Sequence, residues 1–169
     1  YVDAQSLHLI QKPETFDVIV TENMFGDILS ELAAGLIGGM GMAPSADIGD
    51  THAVFQPCHG TAPDIMGKGL ANPTGMILSA ALMLDHLEVA PAANAVRKAV
   101  TNVLEKGDAM PADLGGKAGT AQVADHEGVS WNPHLPAKGG TVAMREVLQA
   151  DTGRHHGDRR DDAALLQQI

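Results

Sequence analysis

Two carboxylates, Asp27 and Glu31, stand four residues apart in a segment that predicts a helix from Asn23 to Gly35. On a helix, residues i and i+4 lie on one face with Cβ atoms about 5–6 Å apart, so both side chains can reach one point. Mg²⁺ and Mn²⁺ prefer oxygen ligands and often keep positions open for water or substrate, which suits such a pair. Acidic residues in the first turns of a helix also complement its dipole. The spacing taken alone favours this second interpretation over a metal site.

The residues before this helix predict the elements that position it. Apolar residues at helical spacing over Ala4–Lys12 predict a helix that Pro13 ends. The apolar run Asp17–Val20 predicts a short buried strand. Residues 21–23 would then form a loop at the carboxyl end of that strand, where open α/β sheets place their ligands.

A second strand and a long loop are predicted downstream. The breaker cluster Gly38–Pro44 ends the acidic helix, and Ala53–Phe55 predicts the next strand. Residues 56–73 then form a loop rich in Gly and Pro, and loops above about 12–15 residues in a compact domain are usually functional or disordered. Four further features follow: a buried helix at Thr74–Leu84, an amphipathic helix at Ala92–Glu105 closed by Gly107, a turn at 113–116, and a short helix at Thr120–His126 capped by Thr120.

Composition excludes several classes of function. The chain has 169 residues with 21 acidic and 11 basic side chains, a net charge of -10, which argues against a nucleic-acid partner. The longest apolar run, around 75–84, is shorter than the roughly 20 residues that cross a bilayer, so no membrane association is expected. The single cysteine, Cys58, excludes an internal disulfide, and with no signal peptide in the sequence a cytoplasmic protein is expected.

The two ends of the sequence do not look like those of a complete protein of this kind. The chain opens at Tyr1 inside an apparent amphipathic element, and we therefore expect a fragment of a longer protein. From about residue 129 the sequence becomes rich in Pro and charge, and residues 129–169 are predicted to be a divergent, disordered tail, with a change of reading frame as the alternative. His155 and His156 in this tail are expected to be solvated rather than metal ligands.

Two pairs of motifs resemble the β-decarboxylating dehydrogenases, the isocitrate and isopropylmalate dehydrogenase family. The first pair is Phe25–Ser30 with 38–46, and the second is His59–Ile65 with Ala71–Pro73. The resemblance runs from Tyr1 to about Glu127 and is nearest to 3-isopropylmalate dehydrogenase-like members. It implies an α/β fold, the C-terminal half of an isopropylmalate-dehydrogenase-like two-domain fold and not a Rossmann fold of the G-x-G-x-x-G type. Residues 1–23 would end the smaller dimerisation domain, and residues 24–128 would form the returning half of the larger α/β domain with the metal and NAD sites.

The resemblance also implies a reaction and a metal site. Members of the family oxidise a 2-hydroxy acid that bears a β-carboxylate, pass hydride to a nicotinamide cofactor and release CO₂. Asp27 and Glu31 match the positions that hold Mg²⁺ or Mn²⁺, with the metal acting as a Lewis acid. Asp3 matches a ligand that the partner subunit supplies, which implies a homodimer. A helix N-cap before Ala4 is an alternative role for Asp3.

The cofactor site is implied by the loop between the second strand and the buried helix. His59, Gly60, Thr61, Ala62, Asp64 and Ile65 resemble the segment that wraps the adenosine end of the cofactor, with Asn72 at the adenine. Asp64 favours NAD over NADP, because a carboxylate accepts hydrogen bonds from ribose hydroxyls and repels a 2′-phosphate.

The sequence departs from the family pattern at several points. Glu31 stands where the family usually has Asp, and Gln56 where many members have Glu. The substrate-binding arginines and the catalytic Tyr and Lys are expected upstream, so the sequence itself offers no catalytic residue and we expect no turnover from the chain alone. The alternatives are an isocitrate or tartrate dehydrogenase-like substrate, or a non-catalytic nucleotide-binding remnant or regulatory subunit.

Overall fold

Seven regular elements form in the part of the chain that the computed structural model describes, residues 1–127. The helices and strands are α1 (Val2–Gln11), α2 (Asn23–Leu36), β1 (Pro44–Ile48), β2 (Ala53–Pro57), α3 (Thr74–His86), α4 (Ala90–Lys106) and α5 (Thr120–His126). Short 3₁₀ turns lie at Pro13–Thr15, Met40–Met42, Pro63–Ile65 and Ala112–Leu114. The predicted tail, with His155 and His156, lies outside the described residues.

The acidic helix and the helix before it begin and end close to where breakers predict. α1 ends at Gln11 and Pro13 opens a 3₁₀ turn, because proline cannot continue a helix. α2 ends at Leu36, and the two glycines that follow adopt φ values of 112° and 102°, which residues with a side chain rarely reach. The two helices pack on each other, with Leu9 and Leu29 buried.

The predicted buried strand at Asp17–Val20 is wrong. These residues form no ladder, and Val18 and Val20 are 81% and 93% exposed. A strand requires a neighbouring strand to bond its N–H and C=O groups, and no strand within residues 1–127 lies beside this segment. The apolar run is therefore present without the partner that would bury it.

The described sheet is one antiparallel hairpin. β1 pairs with β2 in a register that sets Ser45 opposite Gln56 and Ala46 opposite Phe55. The prediction of β2 is confirmed. β1 was not predicted, because Pro, Ala and Asp are poor strand formers and its residues lack regular apolar alternation.

The core lies where α3 packs on α4 and across the hairpin. Apolar side chains from α3, α4 and α5 meet at Ile77, Val100 and Ala124, and Leu84 packs on Ala92 and Ala93. Gly75 lets the first turn of α3 approach closely, since a Cβ there would lie 3.1 Å from the Gly41 carbonyl oxygen. No helix within residues 1–127 is long and apolar enough to cross a membrane.

Two predicted helix caps are wrong. The N-cap of α5 is Gly119, and the Thr120 hydroxyl instead donates to the carbonyl of Ala71 in the 56–73 loop. The N-cap of α1 is Tyr1, so Asp3 lies inside the first turn, where its carboxylate accepts from the N–H of Ala4 at 2.8 Å. In both cases the helix starts one or two residues earlier than the capping residue predicted.

Candidate functional site

The acidic pair on α2 is exposed and lies in the second and third turns of the helix. α2 begins at Asn23, so Asp27 and Glu31 are one helical turn apart on one face and both lie beyond the first turn. The dipole effect falls off within the first turn, which weakens the dipole as the reason for this pair. The Asn23 side-chain amide donates to one oxygen of Asp27 at 3.1 Å, leaving the second oxygen of that carboxylate available. The arrangement suits two oxygen ligands for a cation.

The third predicted ligand does not join this pair within one chain. Asp3 is exposed on the first turn of α1. Among residues 1–127, no three His, Cys, Asp or Glu side chains come close enough to hold a metal together. The contribution of Asp3 across a subunit interface stays a prediction.

The predicted cofactor residues form the outer part of the 56–73 loop. Thr61, Ala62 and Asp64 are exposed, whereas Ile65 is half-buried. A ring nitrogen of His59 lies 3.0 Å from the carbonyl oxygen of Gly60. Ala62 is left-handed, with φ 42° and ψ 65°, an uncommon conformation for a residue with a Cβ. Such residues cluster at ligand-binding sites, where the surrounding structure holds them in place.

Asp64 is the middle residue of the 3₁₀ turn at Pro63–Ile65. Within the described part of the chain its carboxylate has no hydrogen bond or ion pair. Both oxygens are therefore free to accept hydrogen bonds from an incoming hydroxyl group.

Asn72, predicted at the adenine, is instead held by the protein through its side chain. It is 7% exposed, its oxygen accepts from the N–H of Thr74 at 3.0 Å, and its nitrogen donates to the Asp113 carboxylate at 3.0 Å. Its nitrogen also donates to the Met42 sulfur at 3.6 Å, so the backbone and the remaining lone pair of the amide oxygen are what it could offer a ligand. Its predicted role at the adenine stays a prediction.

A polar cluster at the start of α3 escaped the sequence analysis. We call Asn72, Thr74, Asp113 and Glu127 the α3 polar cluster, since Thr74 also donates its hydroxyl proton to Glu127 at 3.0 Å. Glu127 is 3% exposed, and its second oxygen has no partner among residues 1–127. Burial raises the pKa of Glu127, and the hydrogen bond from Thr74 opposes that rise. The hydrogen bonds from Asn72 to Asp113 and from Thr74 to Glu127 join residues 41 and 53 positions apart, so no local pattern predicted their pairing.

Comparison with known proteins places this geometry in a family. A model of the isocitrate/isopropylmalate dehydrogenase family matches residues 1–127. An isocitrate/homoisocitrate dehydrogenase of Thermus thermophilus is 63% identical over 119 residues, which cover 70% of this chain and 35% of that protein. A 3-isopropylmalate/3-methylmalate dehydrogenase of Methanocaldococcus jannaschii is 55% identical over 125 residues, covering 74% of this chain and 37% of that protein.

A solved structure agrees with the sequence comparisons. The crystal structure of isocitrate dehydrogenase from Methylococcus capsulatus superposes with a TM-score of 0.70 at 49% identity, covering 75% of this chain and 38% of that one. The predicted α/β fold of an isopropylmalate-dehydrogenase-like protein is therefore confirmed.

The fold and these matches define a family whose members are named as dehydrogenases. The chain belongs to the isocitrate/isopropylmalate dehydrogenase family. It spans about a third of the length of the curated relatives it matches, 35% and 37% in the two cases above.

Proposed function

We propose that this chain is part of an NAD-dependent and Mg²⁺- or Mn²⁺-dependent dehydrogenase that oxidises and decarboxylates a 2-hydroxy acid such as 3-isopropylmalate. The observation that carries the proposal is the exposed pair Asp27 and Glu31 on one face of α2 in a chain of this family. The names of the relatives, which include isocitrate, homoisocitrate and 3-isopropylmalate dehydrogenases, support the class of reaction. They leave the choice among these acids open.

Asp27 and Glu31 would hold the divalent ion. Their donor set fits a hard cation, because both groups are carboxylates, both are exposed, and neither is bound in an ion pair within residues 1–127. When bound, the ion supplies Lewis-acid stabilisation of negative charge on the substrate oxygens. The amide of Asn23 orients one oxygen of Asp27 and so helps to fix the direction of the other.

The outer part of the 56–73 loop would bind the adenosine end of NAD. Asp64 is exposed and without a partner in the described chain, so it can accept hydrogen bonds from both ribose hydroxyls. The same charge would lie against the 2′-phosphate of NADP and repel it. We therefore propose NAD as the cofactor.

A homodimer would complete the metal site. Asp3 is exposed on α1, and Leu7 and Ile10 of the same helix and Ile28 of α2 are exposed apolar side chains that a second copy could cover. In this proposal Asp3 acts across the interface as the third carboxylate.

Further chain would cover exposed apolar residues and supply the proton-transfer groups. Val18 and Val20 are exposed, and a cleft of about 460 Å³ lies where Ile19 and Val20 face residues of α1 and α2, among them Val2, Phe25 and Leu29. These features support a full-length protein in which additional chain covers residues 17–20, and the Tyr and Lys of catalysis are expected in that additional chain. The chain alone is then expected to bind ligands without turnover.

Calorimetric titration with Mn²⁺ tests the metal site. In the full-length protein, Asp27→Asn should abolish measurable binding and Glu31→Gln should weaken it about tenfold or more, because each change removes a charged ligand. Glu105→Gln, at an exposed position on α4, removes the same charge elsewhere and should leave the affinity unchanged. Equal Mn²⁺ affinity in all four proteins would refute the site.

Parallel titration with NAD and NADP tests the cofactor. The unaltered protein should bind NAD more tightly than NADP. Asp64→Asn should reduce the difference between the two affinities, because it raises the affinity for NADP and lowers the affinity for NAD. A preference for NADP in the unaltered protein would reject this part of the proposal.

A further inference from the structure

The outer residues of the 56–73 loop depend on its two ends for their position. Within residues 59–68, the hydrogen bonds of the described structure stay inside the loop, for example from the N–H of Ile65 to the carbonyl of Ala62 at 3.1 Å. Bonds to other elements appear only toward the ends of the loop. The N–H of Cys58 donates to Ala43, and that of Thr120 donates to Gly69.

Ser79 of α3 contacts the chain at Gln56, close to the point where β2 ends and the loop begins. It is completely buried, and its hydroxyl oxygen lies 2.8 Å from the carbonyl oxygens of Gln56 and Gly75. A hydroxyl has one proton, so the two carbonyls share it, and the oxygen also lies 3.4 Å from the N–H of Ser45 as an acceptor. One side chain thus joins α3 to both strands of the hairpin.

This contact acts at the position where the chain leaves the sheet. Gln56 is the register partner of Ser45 and stands three residues before His59. The Gln56 carbonyl is thereby tied to the body of α3, and its strand pairs with β1. A shift of Gln56 would change the position of the residues that follow it, including His59, Gly60 and Thr61.

The far end of the loop is tied to the same helix. Asn72 accepts from the N–H of Thr74 at the first residue of α3, and Gly75 lets this turn pack tightly on residues 41–43. Thr74 and Ser79 are separated by little more than one helical turn. Both ends of the loop therefore take their position from the first two turns of α3.

We propose that Ser79 is a positioning residue for the nucleotide: it fixes Gln56 against α3 and so holds His59–Ile65 in the orientation that binds the adenosine end of the cofactor. This inference rests on the proposed NAD site. Ser79 itself would touch neither cofactor nor substrate.

Hydrogen exchange and NAD titration of the full-length Ser79→Ala protein test the role. Loss of one buried hydrogen bond should speed amide exchange over residues 58–65 and weaken NAD binding by about 3- to 10-fold. The matched control is Leu84→Ala, a buried change at the other end of α3 that should destabilise the core at least as much. It should leave exchange in the loop and NAD affinity within about twofold of the unaltered protein.

The two readouts separate the inference from the function on which it rests. If the unaltered protein binds NAD and Ser79→Ala binds it equally tightly, the positioning role is overturned. It is also overturned if Leu84→Ala weakens NAD binding as much as Ser79→Ala, because general loss of stability then explains both. If the unaltered protein binds no NAD, the proposed function fails. Independently of NAD, amide exchange over residues 58–65 that is the same in Ser79→Ala and the unaltered protein would reject the role of Ser79 in holding the loop.

Discussion

Replacing Glu127 by Gln should stabilise the protein progressively as the pH rises from acid to neutral. Glu127 is buried against Thr74, and desolvation disfavours its ionised form, which raises its pKa above the ordinary value of 4.5. Gln has the same shape and can still accept the hydrogen bond from Thr74, but it cannot ionise. The variant therefore removes only the pH-dependent cost of a buried charge, apart from a constant contribution from its NH₂ group.

The sign follows from proton binding. Because the folded pKa is raised, the folded protein holds the Glu127 proton more tightly than the unfolded chain between the unfolded and folded pKa values, and its stability falls as the pH rises through that interval. Below the ordinary value both states are protonated and the contribution to stability is fully present. Above the folded pKa it is fully lost, at about 1.4 kcal/mol for each unit by which the pKa is raised.

Urea denaturation followed by circular dichroism measures this difference. The free energy of unfolding of Glu127→Gln minus that of the unaltered protein should increase as the pH rises from about 4.5 through the raised pKa of folded Glu127, and then become constant. Glu105→Gln is the control, since it removes one charge from an exposed site in a chain of net charge -10. A difference that is flat with pH, or that decreases, would refute the assignment of a buried carboxylate at this position.

Three further changes test the fold around the site, each by urea denaturation. Glu88 lies two residues after the end of α3 and has φ +60°, a left-handed conformation that glycine adopts at little cost. The N–H groups of Glu88 and Val89 close the helix end by donating to carbonyls of its last turn. Glu88→Gly should therefore stabilise the protein by about 0.5–1 kcal/mol, and a loss of stability would contradict this. Gly41→Ala should destabilise the protein by about 1–3 kcal/mol, because the new Cβ would lie 2.9 Å from the Cβ of Asn72. An unchanged midpoint of urea denaturation would show that the α3 polar cluster can shift to make room. Asn72→Ala should lower the free energy of unfolding by about 1–3 kcal/mol, because the N–H of Thr74 loses its acceptor. An unchanged free energy would show that this N–H finds another partner.

Local patterns were sufficient for most helices. The apolar spacing of α4 and its closing Gly107, which adopts φ 70° at the helix end, could be predicted because both signals act within a few residues. The same holds for Pro13 after α1 and for the glycines after α2.

Features that depend on distant residues could not be predicted in the same way. The run at Asp17–Val20 has the composition of a buried strand, but strand formation depends on a neighbour that residues 1–127 do not supply. Thr120 has the side chain of an N-cap, yet it is the first helical residue, and its hydroxyl donates to the distant carbonyl of Ala71. Glu127 gave no warning of burial, because a lone Glu at the end of a short helix is usually solvated.

The candidate site divides along the same line. The shared face of Asp27 and Glu31 was predicted from their spacing and their metal role from the family resemblance, and the structure adds that both are exposed and beyond the first turn. The links that hold the 56–73 loop, from Ser79 to Gln56 and from Asp113 to Asn72, join residues 23 and 41 positions apart and carry no local pattern.

The rate of NAD reduction by the full-length protein with Mn²⁺ tests the central claim most directly. Assays with 3-isopropylmalate, isocitrate and homoisocitrate in parallel should show turnover with at least one of these acids and release of CO₂. Asp27→Asn should lower kcat/KM by at least about a hundredfold by removing a ligand of the ion that stabilises developing charge. Equal activity of Asp27→Asn, or full activity of the unaltered protein after removal of all divalent metal, would contradict the proposal.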